Sequence, residues 1–301
     1  WIKTFDNKDL FMEKCRESKY IVDKIRSYSI SEGALMRLFS ILWLVLLPST
    51  ALAAGPLSSS ESPQATRFSA AQAPNFAAMT DVRLKKRSFF EYLAPFVITA
   101  NNAVRAERSF LLNAESKLIA GDALTRLEAD RVRSIADHYR RRGSAMTMIN
   151  IDSISELLTR VDTIPLSLAL AQAANESGWG TSRFARKANN YFGIWCYQSG
   201  CGLKPAQRDP GLTHEVKKFA DVGDNIADYL HNINTNPAYS TLRDLRATLR
   251  DANAPLRGVL LAEGLLAYSS RGAAYVQAIQ QLIISNELEQ QSLRLAALAR
   301  R

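Results

Sequence analysis

Apolar positions recur along this chain in several rhythms, and each predicts a different element. From Arg83 to Leu111, Phe89-Phe90, Leu93, Phe96-Val97, Ala100, Val104 and Phe110-Leu111 fall three and four apart, the spacing of an amphipathic helix. Pro95 predicts an interruption there, because proline has no N–H to donate. Asp122 to Arg142 predicts a second helix with Leu124, Leu127, Val132, Ile135 and Tyr139 facing inward, closed by Arg140-Arg141-Arg142-Gly143. Ile151 to Arg160 predicts a third, capped by Asp152 or Ser153. Leu166 to Ala174 is different. It is apolar on nearly every face except at Ser167 and Gln172, which predicts a buried helix. Pro165 suits its first turn and Gly178 its left-handed stop.

Beyond Gly178, Thr181 or Ser182 caps a short helix carrying Phe184, which Asn189-Asn190 ends. Phe192 to Trp195 reads as a strand entering a hairpin, with turn chemistry at Gly200, Gly202, Pro205 and Asp209-Pro210-Gly211. Leu212 to Phe219 alternates as a return strand: Leu212, His214, Val216 and Lys218 on one side, Thr213, Glu215, Lys217 and Phe219 on the other. Asp224 to His231, Tyr239 to Arg250 and Gly258 to Leu266 predict further helices. Arg271 to Leu298 predicts one long final helix with Tyr275, Ile279, Leu282-Ile283 and Leu288 on one face. The expected fold is mainly α (α+β), a helical body beside a small β-hairpin lobe.

The beginning of the chain has another pattern. Met36-Arg37, the apolar run Leu38 to Leu47, and Ala51-Leu52-Ala53 form a basic start, an apolar core and a small-x-small cleavage site, which together read as a secretory signal peptide. The run is shorter than the roughly 20 residues that span a bilayer. Residues 36–53 are therefore expected to be removed after Ala53, and residues 1–35 to be upstream translation that is not part of the protein. The alternative is an uncleaved anchor with a cytoplasmic tail. Residues 54–82, rich in Ser, Ala, Pro and Gln, read as a disordered linker. An N-terminal helical region over 83–150, a main domain over 151–290 and a tail over 291–301 complete the expected organisation. The location is periplasmic, with membrane contact only through the signal segment before cleavage.

The 301 residues are 47% hydrophobic and 22% charged, ordinary globular material, with a net charge of +9. A basic surface calls for an anionic partner: nucleic acid, a membrane surface or an acidic polymer. No zinc finger, RNA-binding aromatic motif or helix-turn-helix pattern is present, so nucleic acid is not expected. Lys85-Lys86-Arg87 reads as a solvated face, with contact to an anionic wall the lesser reading. Cys196 and Cys201 flank a four-residue turn, a spacing that fits neither a CxxC metal site nor a CxxC redox site, and pair as a disulfide in an oxidising compartment. Cys15 lies in the leader. His138 has no metal partner at ligand spacing, and no phosphate loop, Ser/His/Asp order or HExxH occurs, so neither metal nor cofactor is expected.

Glu176 is the last charged residue of the buried helix, beside its glycine stop. Burial and the negative end of the helix dipole both disfavour the carboxylate. A carboxyl group that holds its proton near neutral pH is suited to donate it. The competing reading is an exposed helix-end glutamate.

Ala171-Gln172-Ala173-Ala174-Asn175-Glu176-Ser177-Gly178-Trp179-Gly180-Thr181-Ser182-Arg183-Phe184-Ala185, followed by Asn189-Asn190-Tyr191-Phe192-Gly193-Ile194, resembles the catalytic signature of the glucosaminidase domain of glycoside hydrolase family 73. The insertion Trp195 to Gly202 resembles the Bax-type branch. The resemblance spans roughly Arg83 to Leu288 and is densest from Ile164 to Tyr275. It implies a lysozyme-like helical domain with a substrate cleft against the β lobe. The implied activity is hydrolysis, by a monomer without cofactor, of the β-1,4 bond after N-acetylglucosamine in peptidoglycan glycan strands. Glu176 is then the general acid. Glu215, 39 residues on, is the counterpart of the family's second glutamate and the general base. Its competing reading is a surface glutamate paired with Lys217, the sugar's 2-acetamido group acting instead. Tyr268, opening the stretch Tyr268-Ser269-Ser270-Arg271-Gly272-Ala273-Ala274-Tyr275, resembles the family's C-terminal tyrosine and would sit by the acetamido group or the developing cation. Trp179, Asn190, Tyr191, Trp195 and Tyr275 are the implied substrate contacts, with Tyr275 also read as half-buried packing and Phe192 as core. Cleavage after N-acetylmuramic acid, by a muramidase or lytic transglycosylase, and a non-catalytic wall-binding protein are the alternative functions.

Overall fold

The computed structural model describes residues 73–139, 146, 148–206 and 211–298. The segments expected as upstream translation and signal peptide, most of the linker, Arg140-Arg141-Arg142, Asp209-Pro210 and the end of the tail lie outside them. Ten helices and three short strands follow in order among the described residues: α1 Val82–Ile119, α2 Arg126–Tyr139, α3 Ile151–Arg160, α4 Leu166–Ser177, α5 Arg183–Ala188, β1 Trp195–Cys196, β2 Gly202–Leu203, β3 Glu215–Lys217, α6 Val222–Thr235, α7 Ser240–Asp251, α8 Gly258–Leu261, α9 Ala273–Ser285 and α10 Leu288–Leu298. The fold is lysozyme-like and mainly helical, with one small antiparallel sheet in the order β1-β3-β2. Among the described residues no helix is long and apolar enough to cross a membrane.

Helix α4 is buried on all sides because α1, α8, α9 and α10 all pack on it. Its apolar residues from Leu168 to Ala174 are at most 1% exposed. A side chain at Gly258 of α8 would strike Ser167 and Leu168, so that crossing depends on glycine. Pro165 stands one residue before the helix as its N-cap, and Gly178 ends it with φ 55°. The turn that follows keeps the left-handed sign through Trp179 (φ 59°) and Gly180 (φ 75°). It is pinned by the Gly180 N–H donating to Ser177 Oγ at 2.8 Å.

Helix α1 runs 38 residues without the interruption expected at Pro95. A proline inside a helix costs about 3 kcal/mol. Phe89, Phe90, Leu93, Val97, Val104 and Leu111 are all buried on this one helix. At ~1.5–3 kcal/mol each, their burial outweighs the missing bond. Because α1 packs on α3, α4, α6 and α10, the regions expected as 83–150 and 151–290 share one core. The linker expected through residue 82 also ends earlier. Asn75 caps a 3₁₀ turn at Phe76–Ala78, and Phe76 is buried edge-on to Phe89 and Tyr92, its ring over Gly180.

Helix α2 begins at Arg126, and Leu127 is 81% exposed rather than inward; the buried face starts at Val132. The cap of α3 is Asn150, which accepts from the Ser153 N–H while Ser153 Oγ accepts from the Asn150 N–H, a closed capping box. The expected single final helix is broken at Asn286-Glu287, where Glu287 takes φ 50°. The corner leaves Ile284 exposed and returns Leu288 and Leu295 to the core. Burying those two leucines offsets the lost helical bonds.

The loop that feeds α4 is held by a buried charge cluster. Asp162, 2% exposed, accepts two hydrogen bonds from Arg250 at 2.8 and 2.9 Å. Arg108 and Arg246 lie at 3.5 and 3.9 Å from the same carboxylate. Arg246 also donates to the carbonyls of Thr159 and Asp162 at 2.9 and 3.1 Å, tying the end of α3 to the start of α4.

Candidate active site

Helix α4 carries Glu176 to its last turn, where the side chain is half-buried. Asn175 Nδ2 donates to Glu176 Oε1 at 3.0 Å. The other oxygen looks toward Gly193, which is exposed with φ 68°; a Cβ there would lie 3.7 Å from Glu176 Oε2. A side chain at Gly193 would therefore crowd the carboxylate from its open side.

Four tyrosines lie within electrostatic reach of this carboxylate: Tyr229 on α6, Tyr239 in the turn before α7, Tyr268 before α9, and Tyr275 on α9. Burial raises the pKa of each, and the charge of Glu176 raises it further. All four stay protonated near neutral pH, so they act as O–H donors. Of the four, Tyr275 feels the Glu176 carboxylate most strongly after burial itself. Its hydroxyl accepts from Gln172 Nε2 at 3.0 Å, and Gln172 Oε1 accepts from the Tyr229 hydroxyl at 2.6 Å. Gln172 is one helical turn before Glu176 and shares its face. The rings are layered: Tyr268 stacks on Tyr275 at 5.4 Å, and Phe192 on Tyr229 at 3.9 Å. The Tyr268 hydroxyl donates to the Phe192 carbonyl at 3.0 Å, fastening the Gly193 turn to the helical body.

The expected substrate contacts divide by exposure. Trp195 is 53% exposed and stacks flat on His214 at 4.1 Å, an aromatic platform on the β lobe. Trp179 is half-buried against Phe89 and Phe90, with Lys86 Nζ 5.0 Å from its ring centroid. Asn190, Tyr191 and Tyr275 are buried, so direct sugar contact does not fit them. Asn190 spends its amide on the backbone, donating to Ile194 and Lys217 carbonyls at 2.9 and 2.8 Å and accepting from the Ile194 N–H at 3.1 Å. Tyr191 packs its ring against Phe89 and Tyr92. These residues shape the turn around Gly193 from inside. Residue type alone does not distinguish an aromatic turn that faces a ligand from one that faces the core.

Cys196 and Cys201 are joined in a disulfide. Glu215, 3% exposed, accepts from the N–H of Gly200 at 3.2 Å and of Gly202 at 2.8 Å, one oxygen to each. It thus brackets Cys201 and braces the hairpin, while Lys217 pairs with Asp228 at 2.6 Å. The residues missed by sequence reasoning are Gln172, Tyr229 and Tyr239. For Gln172 a signal existed: an amide in an otherwise apolar helix, four residues before Glu176. Among the described residues no three His, Cys, Asp or Glu side chains converge as metal ligands.

Residues 151–288 match the Glucosaminidase family, described as mannosyl-glycoprotein endo-beta-N-acetylglucosaminidase. The chain carries a glucosaminidase-family domain. It is similar to Protein bax of Escherichia coli (strain K12), 35% identical over 191 residues, a stretch covering 64% of this chain and 66% of that protein. No solved structure matches. The glucosaminidase domain is of glycosidase type, and its matched span runs from α3 to the first residue of α10. Glu176, the four tyrosines and the disulfide hairpin all fall inside it. Helix α1 falls outside, yet supplies Phe89, Phe90 and Tyr92 behind Trp179 and Tyr191.

Proposed function

We propose that the protein is a peptidoglycan hydrolase that cuts the β-1,4 bond after N-acetylglucosamine, with Glu176 as general acid. The observation that carries this reading is the setting of Glu176: a half-buried carboxyl at the end of the core helix, with phenols near it and the bare Gly193 facing one oxygen. Glu176 protonates the leaving oxygen as the bond breaks and positive charge spreads over the ring carbon and ring oxygen. In this reading Tyr268, half-buried and stacked on Tyr275, serves the acetamido group or the developing cation. Trp195 stacks on a neighbouring sugar. Residues 36–53 export the chain to the periplasm, where the polymer lies; the Cys196–Cys201 disulfide agrees with an oxidising compartment. The protein acts as a monomer.

A two-carboxylate scheme gives the base role to Glu215. Both oxygens of Glu215 are taken by hairpin N–H groups. That favours the second route, in which the 2-acetamido group of the sugar attacks its own anomeric carbon and Glu215 holds the lobe in shape.

Digestion of purified peptidoglycan, with mass spectrometry of the fragments, tests the reading. Reducing-end N-acetylglucosamine is expected, and Glu176→Gln is expected to lower the rate by at least about 10²-fold. Anhydromuramic ends would overturn the bond assignment in favour of the lytic alternative. Undiminished digestion by Glu176→Gln would overturn the catalytic role of Glu176.

A further inference from the structure

Away from Glu176, a cavity of about 350 Å³ opens between the first turns of α1 and the α9–α10 corner. Its volume suits a fragment the size of a short peptide. Arg83, Lys86 and Arg87 line it from one face of α1, and Arg294 faces them from α10. Phe90 and Leu295, both buried, form an apolar floor. Glu91 and Glu287 also line it.

Four cations against two carboxylates is an unusual lining for a cavity. Arg83, Arg87 and Arg294 make no ion pair among the described residues. Lys86 is instead fixed in place, donating to Asn286 Oδ1 at 3.0 Å and lying over Trp179. Like charges in excess over their counter-charges repel one another, and an anionic ligand relieves the repulsion. Guanidinium forks match carboxylates two bonds at a time. The two glutamates then offer acceptors for an ammonium, and the floor takes small apolar side chains. A bare phosphate uses neither of these.

We propose that this cavity binds the short, carboxylate-rich, amine-bearing peptide that branches from the same wall polymer whose glycan chain Glu176 cleaves. The proposal rests on the hydrolase reading above. Trp179 links the two places. It stands three residues beyond Glu176, and its ring packs on Phe90 and under Lys86, two lining residues of the cavity.

The test uses the full secreted chain with its disulfide intact and calorimetric titration with three probes: a soluble anionic stem tetrapeptide, inorganic phosphate, and phosphatidylglycerol vesicles. The tetrapeptide is expected to bind, and Arg83→Ala/Arg294→Ala to weaken it about tenfold. Arg83→Lys/Arg294→Lys should recover part of the loss, and Glu176→Gln should bind as wild type does. On wall carrying its peptides, the double alanine variant should raise KM with kcat unchanged, and on glycan stripped of peptides it should match wild type. No tetrapeptide binding, or equal binding by the double alanine variant, overturns the proposal. Phosphate or vesicles binding more tightly than the tetrapeptide also overturns it. Tetrapeptide binding of the expected pattern in a chain that hydrolyses no glycan would sustain this site and sink the hydrolase reading alone.

Discussion

The buried hydroxyl of Tyr275 lies close enough to the Glu176 carboxylate for that charge to help hold its proton in place. Its oxygen accepts from Gln172 Nε2 at 3.0 Å. Gln172 is oriented in turn by the Tyr229 hydroxyl at its carbonyl. Tyr275→Phe keeps the stack on Tyr268 but removes the hydroxyl and strands a buried amide N–H. The expected cost is ~1–3 kcal/mol of stability, together with about a tenfold drop in kcat. Thermal unfolding and wall digestion on the same preparation check both.

Glu215 distinguishes a brace from a base. As the brace that its two backbone hydrogen bonds indicate, Glu215→Gln should lower Tm and leave kcat within about threefold. Loss of a general base would instead cost at least about 10²-fold. Cys196→Ser/Cys201→Ser releases the same hairpin. For so short a loop the expected destabilisation is about 2 kcal/mol.

Trp195 is exposed, so its removal should leave the fold intact. Trp195→Ala is expected to raise KM on glycan by about tenfold, equivalent to ~1.4 kcal/mol, with Tm unchanged within a degree or so. A fall in kcat at constant KM would count against the platform role.

Acid sensitivity is expected from Asp162. Burial would raise its pKa, but the hydrogen bonds from Arg250 and the charges of Arg246, Arg108 and Arg250 outweigh burial and leave it lowered. A carboxyl depressed in the folded state contributes stability in full above its unfolded pKa of about 3.9. That contribution fades as pH falls below about 4 toward the lower folded value. Denaturant titrations from pH 6 to 2 should show it. Asp162→Asn should flatten the slope in that window, at a cost of ~3–5 kcal/mol from arginines left buried without their counter-charge.

The helical body was largely readable in advance, since α3, α4 and α7 follow from spacing and the Gly178 stop. Pro95 misled because a local rule met a long buried stripe. The Asn286-Glu287 corner was hidden because apolar residues continue through it, and only packing decides which of them turn inward. Within the site, Glu176 stood out because a charge ending an apolar helix is conspicuous. Tyr229 and Tyr239 did not, since one lies on α6 and the other in the short turn after it, and only the folded chain brings them near Glu176. Asn190 and Tyr191 were placed on the right turn but on its wrong side.

Phe89, Phe90 and Tyr92 come from a helix that the family match leaves out, yet they underpin the turn that shapes the acid's surroundings. The matched segment is therefore a part that does not stand by itself. A truncation to residues 151–288 should give no cooperative unfolding transition, whereas 73–298 should. Anyone transplanting this hydrolytic module into a chimeric enzyme has to carry the long leading helix with it, because the glucosaminidase portion borrows its foundation from upstream.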